Sequence, residues 1–193
     1  MTFAPRRERR TAAGRGASRP ARGEVILDVG CGTGLNFAAL EDGIGPDGRL
    51  IALDPCPEML ERAQARIENH GWHNIELVHA TAEDAQVPAM TEAALLCGVH
   101  DVMRSPAALA NVLRHIRDGG RIVAGGAKWA PWWRPGSVAV NVSTWAMNRE
   151  YVSTLEGFDR PWNHLARLVS GLHVDGLYFG GGYLARGVRF GDT

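Results

Sequence analysis

The chain has 193 residues, with 21 Lys and Arg balanced by 21 Asp and Glu, so its formal net charge is zero. That length fits one domain with enough material for a buried core, and a content of 45% hydrophobic and 22% charged residues excludes a wholly disordered chain. No apolar run approaches the ~20 residues of a membrane span. The three cysteines Cys31, Cys56 and Cys97 form no CxxC pair, which argues against a disulfide framework or zinc site and for reduced thiols in a cytoplasmic protein.

The neutral total hides an asymmetry. Residues 1–22 hold seven arginines and one glutamate, a net of +6, so residues 23–193 sum to −6. This leader is rich in Gly, Ala, Ser and Pro and has no periodicity, so it is expected to be disordered. Its paired arginines are followed by no apolar segment, which argues against an export signal.

From Glu24 the pattern changes to alternating strand and helix signals. Residues 24–30 (EVILDVG) form a short apolar run ending in glycine, and RLIALD (49–54) follows a Gly-Pro-Asp-Gly turn. Pro57 then opens a helix with Leu60, Ala63 and Ile67 on one face, closed by His70-Gly71. Strands are predicted at 74–80 and 92–99. Ser105-Pro106 supplies an N-cap and a first-turn proline for a helix carrying Leu109, Val112, Leu113 and Ile116. Asp118-Gly119-Gly120 should stop it before a fifth strand at 121–127. Strands alternating with helices imply an α/β, doubly wound parallel sheet covered on both faces.

The last third differs. Residues 129–169 are aromatic and loosely periodic, with helices expected within 137–150 and 162–169. Residues 172–190 read as two strands around Gly180-Gly181-Gly182, too close for a crossover helix, and so as an antiparallel hairpin.

Two features carry chemistry. VILDVGCGTG sets Gly30, Gly32 and Gly34, with Cys31 between the first two, directly after a strand, where glycines let the backbone turn tightly and approach a ligand. The third glycine falls two residues after the second, so the dinucleotide fingerprint GxGxxG fails, and Asp28 ahead of the loop is a poor neighbour for a pyrophosphate. Strand two ends in Asp54, where a carboxylate can accept hydrogen bonds from both ribose hydroxyls of a nucleoside.

LDVGCGTG followed by ALDPCPEML resembles the class I S-adenosylmethionine-dependent methyltransferases. The likeness is nearest to the small-molecule branch with menaquinone/ubiquinone C-methyltransferases and phosphatidylethanolamine N-methyltransferases. It covers about residues 24–128, and the terminal hairpin matches that family's reversed seventh strand. The resemblance implies a Rossmann-like, mostly parallel sheet with an antiparallel C-terminal strand, and S-adenosyl-L-methionine as cofactor. It places Asp28, Gly30, Gly32 and Gly34 on the methionine and ribose side, Asp54 at the ribose hydroxyls, and Pro55 and Met59 beside the adenine. After strand three, Thr81 stands where the family has Asp. Either its hydroxyl takes the adenine contact, with Ala82 and Glu83 as neighbours, or Glu83 or Asp84 does after a register shift. The leader is a poor substitute for the family's N-terminal helices. Either the site is open, or the 129–169 insertion closes it, or a partner chain does, as in a homodimer.

On the acceptor side, strand four runs into His100 and Asp101, and in an open parallel sheet one of them faces the ligand crevice. The family often has His here, so His100 is the candidate base with Asp101 second. Eleven of the fourteen aromatics follow Lys128. Trp129, Trp132 and Trp133 cannot all point into one core, so some should face a cavity or an interface; they either line an acceptor pocket or fill a second small core, with Tyr151 as a polar neighbour. No metal-ligand spacing occurs. The expected activity is methyl transfer to a small, largely apolar or aromatic acceptor, in specialised, quinone or lipid metabolism, with no nucleic acid partner and no integral membrane association. Two rivals remain: a nicotinamide-dependent oxidoreductase, disfavoured by the glycine spacing, and a non-catalytic binding subunit of the same fold.

Overall fold

The computed structural model describes residues 19–149 and 154–190, so the leader through residue 18 lies outside it. Two parallel strands start the fold: β1 (Val25–Val29) and β2 (Arg49–Asp54), with Val25 opposite Arg49 and Val29 opposite Leu53. Between them lies helix α1 (Phe37–Ile44), and after them α2 (Pro57–His70) and β3 (Ile75–His79). Then come β4 (Thr91–Cys97), a short α3 (His100–Arg104), α4 (Pro106–Arg114), β5 (Ile116–Ala127) and α5 (Ser137–Asn148). Strands β6 (Val169–Leu177) and β7 (Gly182–Arg189) complete one seven-stranded sheet in the order β3-β2-β1-β4-β5-β7-β6.

Strand alternation builds a core on each face of the sheet. Leu27, Val29, Ile51 and Leu53 pack with Leu109 and Val112 of α4. The alternate residues Ile26, Leu50 and Ala52 pack with Phe37 and Leu40 of α1 and with Leu60, Ala63 and Ile67 of α2. The helix signals operate as their chemistry dictates. Ser105 Oγ accepts from the Ala108 amide at 3.1 Å, and Gly71 ends α2 in a left-handed conformation with φ of 67°.

Two elements depart from expectation. Ile116 does not extend the helix but begins β5, buried and opposite Thr91. Gly119, with φ of 75°, bulges the strand so that it re-enters register with Arg121 opposite Ala93. The helix expected over 162–169 is only a 3₁₀ turn, Leu165–Arg167, because the buried Leu165 and Val169 anchor the segment and β6 starts at Val169. The hairpin forms as read: β7 pairs antiparallel with both β5 and β6.

Candidate active site

The carboxyl ends of β1, β2, β3 and β4 converge on the loop Gly30–Gly34. The amides of Gly30 and Cys31 both donate to the carbonyl of Leu53, at 2.7 and 3.0 Å, which ties the loop to the end of β2. Arg66 of α2 donates through Nε to the Thr33 carbonyl at 2.9 Å. Gly30 has φ of 67°, and a Cβ there would overlap Val99 just beyond β4. Gly32 has φ of 55° with open space where its Cβ would stand, so this backbone is accessible to a ligand.

Asp54 is 7% exposed and its oxygens are set by the loop: Oδ2 accepts from Gly32 N at 2.8 Å and Oδ1 from Cys56 N at 2.9 Å. Each oxygen keeps a second lone pair. Asp28 is fully buried, and among the described residues neither carboxylate oxygen has a hydrogen-bond partner. Burial pushes its acid up to about 7; the Asn36 side chain, which lowers it, stands outside hydrogen-bond geometry, and the Asp54 charge raises it further. Burial, with the same two acids, also raises the Cys31 thiol.

Around the rim, His79 Nε2 lies 3.1 Å from the Pro55 carbonyl, joining the ends of β3 and β2. Met59 is 36% exposed in the first turn of α2. Thr81 is exposed, and its hydroxyl donates to Asp84 at 2.9 Å. Ala82 is buried, its carbonyl accepting from Asn111 at 2.9 Å, while Glu83 is exposed.

On the acceptor side, His100 and Asp101 do not end a strand. Gly98, with φ of 74°, turns the chain so that both open α3. His100 is buried; its Nε2 lies 3.0 Å from the Glu156 carbonyl and its ring packs edge-on to Phe158 at 4.2 Å. Burial lowers its pKa. Asp101 is exposed. Trp129 packs on Phe158 at 5.5 Å, with its amide bonded to the Phe158 carbonyl at 2.8 Å. Trp132 and Trp133 project outward, 85% and 69% exposed, and Tyr151 lies outside the described residues. Sequence reasoning missed Glu156, Phe158 and His79; nothing in the local pattern ties them to the loop. Among the described residues no cluster of His, Cys, Asp or Glu suits a metal.

The profile of the family described as Methyltransferase domain matches residues 26–120. Residues 26–120 are a methyltransferase domain, and the fold that carries them is that of S-adenosylmethionine-dependent methyltransferases. This fold superposes on those of solved methyltransferases. The N-methyltransferase NodS from Bradyrhizobium japonicum WM9 superposes with a TM-score of 0.62 at 16% identity, covering 89% of this chain and 88% of that one. Aklanonic acid methyltransferase DauC from Streptomyces sp. (strain C5) is 29% identical over 168 residues, 72% of this chain and 76% of that protein. Demethylmenaquinone methyltransferase from Geobacillus stearothermophilus is 34% identical over 67 residues, 35% of this chain and 29% of that protein. The match spans only 29% to 32% of the length of three of the curated relatives.

The site fits the cofactor of this methyltransferase family. S-adenosylmethionine carries an ammonium, a sulfonium and a ribose diol but no phosphate. Unpaired buried acceptors on Asp28, an open backbone at Gly32 and a pre-oriented Asp54 suit those groups.

Proposed function

We propose that this chain binds S-adenosylmethionine at the glycine loop and transfers its methyl group to a small, largely apolar or aromatic acceptor. The observation that carries the reading is Asp28: a fully buried carboxylate with two unpartnered oxygens is costly unless a ligand supplies donors or positive charge. When bound, the cofactor supplies an electrophilic methyl on a positively charged sulfur. Asp28 would take a cationic donor near the methionine end, with Gly30, Cys31, Gly32 and Gly34 offering close backbone approach. Asp54 would accept from the ribose hydroxyls through its remaining lone pairs, and Pro55, Met59 and the Thr81–Glu83 turn would border the base.

Transfer to an acceptor demands orientation above all, which can supply about 7–11 kcal/mol of barrier reduction. His100, bonded to the Glu156 carbonyl and covered by Phe158, suits the positioning of the 129–169 insertion against the rim better than proton abstraction. Trp129, held on the same Phe158, would form a wall of the acceptor space. The likeness to an aklanonic acid methyltransferase and a demethylmenaquinone methyltransferase supports a small organic acceptor.

Calorimetry with S-adenosylhomocysteine and with NAD tests the cofactor, and turnover over a panel of aromatic and quinone-like acceptors tests the transfer. Binding of NAD alone would overturn the reading. Tight S-adenosylhomocysteine binding with no turnover on the panel would favour a non-catalytic binding subunit.

A further inference from the structure

Strand β7 runs antiparallel to β5, so its first residues lie beside the carboxyl end of β5, on the edge of the sheet where ligands bind in folds of this kind. Tyr183 is the second residue of β7 and stands opposite Gly126. On the other side of β5, Gly125 pairs with Cys97, and its carbonyl accepts from the Gly98 amide at 2.8 Å. Gly98 turns the chain toward α3, and the next residue, Val99, packs against Gly30 of the glycine loop. A single strand therefore separates Tyr183 from the residues that border the candidate cofactor site.

The ring of Tyr183 rests on bare backbone. A Cβ on Gly126 would stand 3.4 Å from its Cε1 and 3.7 Å from its hydroxyl, so both atoms lie over residue 126. Trp162 flanks the ring, with centroids 5.2 Å apart. The side chain is buried, with 3% exposure. Among the described residues nothing hydrogen-bonds its hydroxyl, yet the oxygen is not sealed in, as both oxygens of Asp28 are.

Tyrosine hydroxyls that are buried with their rings usually find a partner. Packing alone is served as well by phenylalanine, because a buried polar group with no hydrogen bond carries its full desolvation penalty. Burial, and then the charge of Cys97 at the end of β4, push the phenol above its ordinary range. It therefore stays protonated and offers a donor rather than a base.

The surroundings narrow what that donor can meet. Trp129 follows β5 and packs on Phe158, Phe158 covers His100, and Trp162 flanks Tyr183 itself. The hydroxyl is a polar point beside aromatic walls, the arrangement by which small-molecule pockets fix orientation.

We propose that Tyr183 is a substrate-binding residue: its hydroxyl donates to an oxygen of the acceptor, which makes the acceptor an aromatic compound with a phenol, enol or carbonyl oxygen. The assignment rests on the methyltransferase reading above. An acceptor anchored there is held by its oxygen at β5, while the β1 loop holds the cofactor on the other side of β4.

2-Naphthol and naphthalene, titrated into the full chain loaded with S-adenosylhomocysteine and read by quenching of tryptophan emission, test the proposal. Tyr183→Phe keeps the ring on Trp162 and Gly126 and removes only the hydroxyl. It should weaken 2-naphthol at least about threefold, leave naphthalene within about twofold, and melt at or above the temperature of the parent. An equal effect on both probes, or an effect on neither, makes the residue packing alone and overturns the proposal. So does a loaded parent chain that binds neither probe. A lower melting temperature for Tyr183→Phe would give the hydroxyl a partner within the fold, which also overturns it. A parent chain that fails to bind S-adenosylhomocysteine overturns the methyltransferase reading itself. Binding of S-adenosylhomocysteine without the difference between probes leaves that reading standing and removes Tyr183 from the site.

Discussion

The Gly32 amide donates to Oδ2 of Asp54 at 2.8 Å, so the middle of the β1 loop hangs from the acid that ends β2. That one carboxylate also receives Cys56 N at 2.9 Å, ahead of α2. The loop shape and the ribose-binding oxygens are therefore fixed together. Asp54→Ala should weaken S-adenosylhomocysteine binding at least about tenfold and cost about 1–3 kcal/mol of stability through the two orphaned amides. Calorimetry and denaturant titration read the two effects separately. Lost stability with unchanged affinity would make Asp54 a staple of the loop and nothing more.

Asp28 couples the site to pH. Its acid is raised to about 7 in the folded chain, so the folded state holds the proton more tightly than the unfolded one. Its contribution to stability is then full below the ordinary carboxyl range and is lost as pH rises to about 7, flattening above. Asp28→Asn, which never ionises, should raise the melting temperature of the ligand-free protein at pH 8 and match the parent near pH 4. The gain at pH 8 should be a few kcal/mol, at about 1.4 kcal/mol for each pH unit between folded and unfolded titrations. Cofactor affinity should rise with pH toward 7 in the parent and stay low and flat in the variant. A parent affinity independent of pH between 5 and 8 would remove Asp28 from the cofactor site.

The imidazole of His100 has its pKa lowered by burial, so its stabilising contribution is present above the ordinary histidine value and fades as pH falls through the lowered one. His100→Ala should cost about 1–3 kcal/mol at pH 7.5 through the lost bond to Glu156 and contact with Phe158, and less near pH 5. As a positioning residue it should lower kcat less than about tenfold and raise the acceptor KM. A fall of about 10²–10⁴ in kcat with intact stability would make it the general base.

Gly30 and Gly32 separate packing from binding. Both have left-handed backbone, which costs a side chain about 1–2 kcal/mol. A methyl at residue 30 also meets Val99, whereas one at residue 32 meets nothing within 4 Å. Gly30→Ala should therefore lower the melting temperature clearly more than Gly32→Ala. Gly32→Ala should impair cofactor affinity out of proportion to its stability. Equal thermal losses would mean that Val99 swings aside freely.

The parallel half of the sheet was legible because its strands are short apolar runs separated by helices with local signals, such as Pro57 and Gly71 around α2 and Ser105 before α4. The reversed strand was legible because three glycines leave no length for a crossover. The start of β5 was not: Ile116 has helical spacing with Val112 and Leu113, and its strand pairing with Thr91 is a tertiary contact. The expected 162–169 helix failed for a similar reason, since Leu165 and Val169 suit a buried turn and strand as well as a helix. The loop and Asp54 stood out through spacing, whereas the partnership of His100 with Glu156 spans 56 residues and leaves no local trace. In the aromatic segment, composition left Trp129, Trp132 and Trp133 between an acceptor pocket and a second core; the structure packs Trp129 on Phe158 and leaves the other two exposed.

Strand β7 lies between β5 and β6, although it follows both in the chain. As the polypeptide emerges from the ribosome, β6 appears with no neighbour to pair with, and β5 keeps a bare edge until residues 182–189 arrive. A chain halted before Gly182 would hold a finished glycine loop beside two unmatched strand edges, the form most open to aggregation and to quality-control proteases. Completion of the sheet therefore reports that translation has passed β7.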